Sequence, residues 1–244
     1  MTGRPAEGQG IVEDLGKREQ AKARRRTRIV RAARDLIRET GDTDLSMRML
    51  AQRAEVSLST PYNLVGSKRA VVLAVLEDER DFAERFAKLD RGNSIERIFG
   101  AHELAFSYYT GDPEFYRTLW RALLSTTGQD DMGLATPERL AQTRAIWRAL
   151  VDRAVKDGYL TGDLPVDITL QTMAHLTGGA LLSWAVGSLA TAALTPTVGI
   201  GWALCLRGAA TAKGEDLLDR RISSYRKDLE DAGPRFAERS PETL

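Results

Sequence analysis

Cysteine is nearly absent from this 244-residue chain, and its one occurrence, Cys205, excludes an intrachain disulfide framework. Histidine is almost as scarce, with only His102 and His175, so a His/Cys metal centre lacks ligands. Net charge is close to nil, because 35 basic side chains stand against 34 acidic ones. The opening residues, MTGRPAEGQG, contain no apolar run, which argues against a secretory signal. A collagen-like or low-complexity chain needs far more than the 8 prolines and 21 glycines found here. No P-loop, G-x-S-x-G, H-E-x-x-H or CxxC is present, so no enzyme, cofactor or metal site is expected. What remains is 43% hydrophobic and 28% charged, the composition of a soluble, cytoplasmic globular protein with a sizeable core.

The near-zero net charge hides an asymmetry. Residues 1–70 hold 15 basic and 9 acidic side chains, whereas the remainder holds 20 and 25. From Lys17 to Arg34 nine basic residues face one acid, Glu19. A basic amino-terminal piece on an acidic body points to a polyanion partner at one end, unless the run is a solvated helix face.

Helical punctuation dominates the chain, and no alternating β-branched run is long enough for a sheet. Asp112-Pro113, Thr136-Pro137 and Thr195-Pro196 each place a capping side chain before a proline, as at a helix start. Ser46, Ser57, Ser67 and Ser94 read as further caps, and Gly41, Gly66 and Gly158 as left-handed helix ends. The expectation is an all-α protein of roughly nine or ten helices. Residues 1–22 read as a basic flexible tail, 23–70 as a first domain, 71–213 as a larger helical domain, and 214–244 as a polar helix and tail. A fourth helix is expected over about 67–89, and later ones near 94–109, 113–125, 137–157, 166–188 and 196–212.

Within the first domain, Ile29, Ala33, Leu36 and Ile37 form one apolar stripe over Thr27–Thr40. Met47, Leu50, Ala51 and Ala54 form a second, followed by the turn Glu55-Val56-Ser57 and a short helix ending near Val65. Two short amphipathic helices joined by a tight turn are the sequence form of a helix-turn-helix. The second helix opens with Ser57, Leu58, Ser59 and Thr60, short enough to let a helix end sink into a major groove, and Tyr62 and Asn63 follow.

The stretch RRRTRIVRAARDLIRETG, with LSMRMLAQRAEVSLSTPYNLVGSKRAVVLAVLE after it, resembles the tetracycline-repressor (TetR) family of transcriptional regulators. The matching elements are Ile29 to Leu36, Ser46, Val56-Ser57, Thr60-x-Tyr62 and Ser67-Lys68, over roughly 45 residues. Three positions depart from the family pattern. Glu55 replaces the usual turn glycine and carries strain if the turn needs positive φ. Met49 replaces an acid, so no capping box forms. Pro61, at about the fourth position of the reading helix, is expected to remove one early backbone bond.

The resemblance implies roles residue by residue. Ser46, Tyr62 and Lys68 are expected at phosphates, Ser67 beside Lys68 at the DNA, and Arg48 at the groove edge. Ser57, Leu58, Ser59, Thr60 and Asn63 are candidates for base edges or groove packing. Arg24, Arg25, Arg26 and Arg28 are expected to reach an adjacent minor groove.

In the acidic body, residues 168–206 contain no Asp, Glu, Lys or Arg. Polar interruptions and the short piece after Pro196 argue against membrane spans. His175, Gly179, Ser183 and Gly187 recur every fourth residue as a stripe of mostly small side chains, flanked by Trp184; Gly201 and its neighbours continue the theme. An internal hairpin and a subunit interface both fit. The resemblance implies a homodimer, with Gly179, Ser183, Trp184, Gly187, Gly201 and Leu204 at its interface, on a palindromic operator.

Aromatic residues at helical spacing fit either a core or a ligand chamber. The resemblance favours a chamber for a small-molecule effector, lined by Phe99, His102, Phe106, Tyr109, Tyr116, Trp120, Trp147 and His175. Arg117/Arg121 and Arg144/Arg148 read as solvated faces or as partners for an acidic ligand, and Cys205 as a small buried hydrophobe. The resulting reading is a DNA-binding regulator, most simply a repressor released by its effector. The contrasting reading is a ligand-binding or scaffold protein whose basic tail binds nucleic acid without sequence preference.

Overall fold

The computed structural model describes residues 7–78, 82–89, 92–125 and 135–233. Among them are eleven helices and no strand, only an isolated bridge between Leu160 and Ala210, so the expected all-α class is the observed one. Two compact units form, one from residues up to Asp78 with Ala122–Asp130, the other from Glu79–Arg121 and Asp131 onward.

The first unit contains α1 (Glu7–Thr40), α2 (Met47–Arg53), α3 (Ser59–Leu64) and α4 (Lys68–Leu76). Ile29, Ala33, Leu36 and Ile37 of α1 are buried, as are Leu50 and Ala51 of α2 and the apolar run Val71–Leu76 of α4. Two predicted caps are in place: the Ser46 hydroxyl accepts from the Met49 amide at 3.4 Å and that of Ser67 from Ala70 at 3.2 Å. Gly41, Gly66 and Gly158 all have positive φ, as the predicted helix ends require.

Two boundaries differ from the sequence reading. Helix α1 begins at Glu7, so the expected tail is helical from there on, and residues 1–6 lie outside the described set. Propensity accounts for residues 17–26, where Glu, Gln, Lys, Arg and Ala dominate and extending a docked helix needs no new nucleus; the turns before them, with Gly8, Gly10 and Gly16, are not explained by it. Helix α4 stops at Leu76 rather than running to 89. Arg34 of α1 accounts for this, donating to the carbonyls of Val75 at 3.1 Å and Asp78 at 2.7 Å, and pairing with the Asp78 carboxylate at 3.4 Å. A cation thus satisfies carbonyls that a continuing helix would have used.

The second unit contains α5 (Phe82–Ala87), α6 (Ser94–Gly111), most of α7 (Pro113–Ser125), α8 (Pro137–Lys156), α9 (Val166–Ala185), α10 (Thr191–Arg207) and α11 (Ala212–Asp231). Helix α10 packs on α6, α9 and α11. Thr136 caps α8 as expected, accepting from Arg139 at 3.2 Å with Pro137 first in the helix. At α6 the cap is Asn93, which accepts from Glu96 at 2.9 Å, while Ser94 is the first helical residue and buried.

Pro196 was expected to open a helix and instead lies inside α10, which starts at Thr191. Tertiary bonds fix the earlier start. The Thr191 hydroxyl accepts from the Trp184 indole at 3.1 Å and from Arg117 at 3.1 Å. Pro196 is buried, and the carbonyl just before it, of Thr195, accepts from His102 at 3.0 Å. Burial and that bond offset part of the roughly 3 kcal/mol an interior proline costs.

A polar strap holds α11 to α6. Arg221 pairs with Glu96 and with Glu103 (2.8 Å), and the Tyr225 hydroxyl donates to Glu103 at 3.2 Å. The Tyr225 ring lies so close to α10 that a Cβ on Gly199 would sit 2.6 Å from ring atoms. Gly199→Ala is therefore expected to lower stability by about 1–3 kcal/mol, the usual cost of overpacking. Urea unfolding measures this, and a Tyr225→Leu change in the same chain should recover part of the loss. A Gly199→Ala chain as stable as the parent would show that the ring moves without cost.

Candidate nucleic-acid interface

The turn between α2 and α3 is built by backbone. Ala54 ends α2, and the Val56 amide returns to the Ala51 carbonyl at 3.0 Å. That return needs a left-handed residue, and Glu55 supplies it with φ of +52°, the sole non-glycine with positive φ among the described residues. The strain anticipated from the missing glycine is thus present.

Pro61 is the third residue of α3 and buried. The expected loss of a backbone bond does not occur, because the first amides of a helix have no intrahelical acceptor. Its ring pins one side of α3 and turns the other outward. Ser57, Ser59 and Asn63 are exposed, and Leu58 and Tyr62, one turn apart, are 56% and 54% exposed. Thr60 is half-buried, its hydroxyl 2.7 Å from that of Ser57. Ser46, Arg48 and Ser67 are exposed, as are Arg24, Arg25, Arg26 and Arg28 on α1. All fourteen residues expected at DNA are therefore at least partly accessible on the first unit.

Two of these cations already pair with acids. The Lys68 ammonium pairs with Asp44, and this hydrogen bond holds the Asp44 carboxyl below its usual range. Arg28 reaches the Glu55 carbonyl at 3.5 Å and its carboxylate at 3.8 Å. Such exposed pairs contribute little stability, so a phosphate can replace either acid.

In the second unit, rings touch in a chain: Tyr116–Tyr109 (5.1 Å), Tyr109–Phe106 (5.8 Å), Phe106–His102 (4.6 Å), His102–Trp202 (5.2 Å) and Trp202–Trp147 (4.6 Å). Phe99 joins through Tyr225 at 5.9 Å, and Trp120 is buried. Seven of the eight residues expected around an effector are thus interior or half-interior. The eighth, His175, is exposed on α9, so its place in that set is corrected. Trp202 and Tyr225 were missed. Arg117 and Arg121 are both engaged within the chain: half-buried Arg117 covers the Trp184 ring, and Arg121, exposed, donates to the Ala185 carbonyl at 2.9 Å. Arg144 and Arg148 both pair with Asp167, at 2.7 Å and 2.6 Å. Cys205 is half-buried, and burial pushes its thiol up.

The uncharged stretch presents an apolar surface on α9 and α10. Ile168, Leu176, Leu182, Val186 and Leu204 are exposed, with Gly179 among them, Ser183 half-buried, and Gly201 close to Leu176. One expected member does not belong, and a second lies off the helix. Trp184 is fully buried by its own unit. Gly187 lies past the α9 cap in a left-handed turn with φ of +84°, off the helical stripe.

Relief of strain is the first test of this local geometry. Glu55→Gly is expected to stabilise the chain by about 0.5–1 kcal/mol, the left-handed penalty outweighing the glycine's extra chain entropy. Thermal unfolding measures it, and a lower melting point would remove the strain assignment. A second concerns His102, whose burial lowers its pKa from 6.5 to about 4. The folded form resists protonation that the unfolded chain accepts, so stability falls as pH drops from about 6.5 towards 4. His102→Gln should flatten that slope in unfolding titrations; an unchanged slope would contradict the assignment.

No protein-family model matches the sequence, and neither does any curated protein. Among solved structures, the chain is similar to the TetR-family protein CprB of S. coelicolor A3(2), with TM-score 0.52 and 19% identity, covering 85% of this chain and 98% of that one. It is similar also to TylP, a TetR regulator of Streptomyces fradiae, with TM-score 0.54 and 21% identity over the same shares. The helix-turn-helix unit and the helical second unit together give this chain the TetR-family fold.

Proposed function

We propose that this chain is a transcriptional regulator that binds duplex DNA through α2 and α3 as a homodimer and responds to a small molecule in its second unit. The observation that carries the reading is the outward face of α3. Buried Pro61 holds it, and it offers short hydroxyls, an amide and two large exposed side chains that no core requires. Leu58 and Tyr62 in contact with water are a cost that groove packing would recover.

Dimerisation is supported by the exposed apolar residues of α9 and α10 within a stretch free of charge. Such a surface on a monomer is a candidate for association. Two-fold symmetry would present two copies of α3 to successive major grooves about 34–36 Å apart, hence a palindromic site. Effector response is supported by the aromatic chain, into which His102 offers a buried ring nitrogen, Nδ1, with no hydrogen-bond partner among the described residues. Helix α7 contributes residues to both units, and buried Arg69 of α4 holds the Leu123 carbonyl of its last turn at 2.5 Å. A ligand that favours one arrangement would shift the population of DNA-competent dimers and release the operator, which is the action of a repressor.

Tyr62→Phe and Lys68→Ala are expected to weaken binding to every duplex, and Lys68→Ala to lower the salt slope by about one. Asp44→Asn should act oppositely, tightening binding several-fold by freeing Lys68 and removing a negative charge from the interface. Fluorescence anisotropy across a salt series reads all three. Unchanged affinities would remove the phosphate roles. Leu182→Lys with Leu204→Lys should yield a monomer in sedimentation; an intact dimer would place the interface elsewhere.

A further inference from the structure

Between Glu55 and Lys68 the chain carries no charged residue, so α3 has neither a cation nor an acid of its own. That absence bears on which bases the helix can read. In the major groove, guanine is read by Arg or Lys at O6 and N7, and cytosine by an acid that accepts from N4. Val56–Leu64 holds none of these residue types. The neighbouring acid, Glu55, pairs instead with Arg28 at 3.8 Å.

What the face does hold suits the other base pair. At ~100° per residue, Leu58, Tyr62, Ser59 and Asn63 cover one exposed arc of ~140°, with Leu58 and Asn63 at its two edges. Leu58 belongs to that arc because its backbone is already helical, with φ of −56° and ψ of −33°. Buried Pro61 lies on the other side. The Asn63 amide carries both a donor and an acceptor, the combination that meets N7 and N6 of adenine. Leu58 is 56% exposed and has no polar group, so neither a phosphate nor a polar base edge compensates it. The thymine 5-methyl is the apolar group that a major groove presents. The hydroxyls nearby serve any base and are engaged with one another, Ser57 Oγ standing 3.2 Å from Ser59 Oγ and 2.7 Å from Thr60 Oγ1.

We infer that α3 is a reader of A·T pairs, in which Leu58 packs on a thymine methyl and Asn63 takes an adenine edge in each half-site. This rests on the DNA-binding reading above, which leaves the bases unnamed.

The test starts from a duplex that the full-length chain enriches from a random pool, with affinity read by fluorescence anisotropy. Each thymine in turn is replaced by deoxyuridine, which removes the 5-methyl and keeps the pairing. One position per half-site is expected to respond, weakening binding about fourfold for a single methyl and about fifteenfold for the symmetric pair, as for one buried carbon each. Leu58→Ala removes an exposed side chain and is expected to keep the parent's helix content by circular dichroism. It should bind the thymine duplex several-fold more weakly and no longer respond to deoxyuridine. In parallel, 7-deazaadenine, which lacks N7, should weaken the parent at one adenine per half-site and leave Asn63→Ala indifferent. A deoxyuridine penalty that persists in Leu58→Ala, or none at any thymine of an enriched duplex, would overturn the thymine assignment. A deazaadenine penalty that persists in Asn63→Ala would overturn the adenine assignment. A pool that enriches no sequence would contradict the α3 reading itself, and the base assignment would fall with it.

Discussion

Burial of the apolar stripe of α1 is the constraint on which the first unit depends. Ile29, Ala33, Leu36 and Ile37 lose essentially all contact with water, and a fully buried side chain of the larger kind is worth about 1.5–3 kcal/mol. That burial holds α1 against α2, α3 and α4. Everything functional is then set by what the core leaves over. Pro61 goes inward, so Leu58 and Tyr62 go outward. Ile29 is buried, whereas Lys17–Arg28 before it are exposed.

The second unit obeys the same logic with a different residue at its centre. Gly199 lets the Tyr225 ring lie against α10, and the Tyr225 hydroxyl then reaches Glu103, which also holds Arg221. His102 sits beside these rings with a neutral imidazole, because burial disfavours its charged form more than its bond to Thr195 favours it.

Much of this was legible in the sequence, and the exceptions share a cause. Helix starts marked by a local side-chain cap, at Ser46, Ser67 and Thr136, were readable because cap and helix are neighbours in the chain. The end of α4 and the start of α10 were not, since Arg34 and Arg117 act from 41 and 74 residues away. At the interface, the accessible residues followed from motif and pattern. Their ion pairs did not: nothing local joins Lys68 to Asp44 or Arg28 to Glu55. The small-residue stripe failed at Gly187 because a helix end has no periodicity, and at Trp184 because its own unit buries it. The apolar residues that do face outward, Ile168, Leu182 and Val186, were visible within the uncharged stretch, yet periodicity alone did not distinguish them from core.

The central claim is that a dimer reads sequence through α3. The most direct measurement is the affinity and stoichiometry of the purified chain on an enriched duplex against a scrambled one, at about 150 mM salt, where non-specific electrostatic binding is already weak. A strong preference for the enriched duplex, with two protomers or a multiple of two per site, is the expected result. Equal and weak binding to both, falling steeply with salt, would contradict the claim and leave the chain as an electrostatic anchor attached to a helical ligand-binding unit.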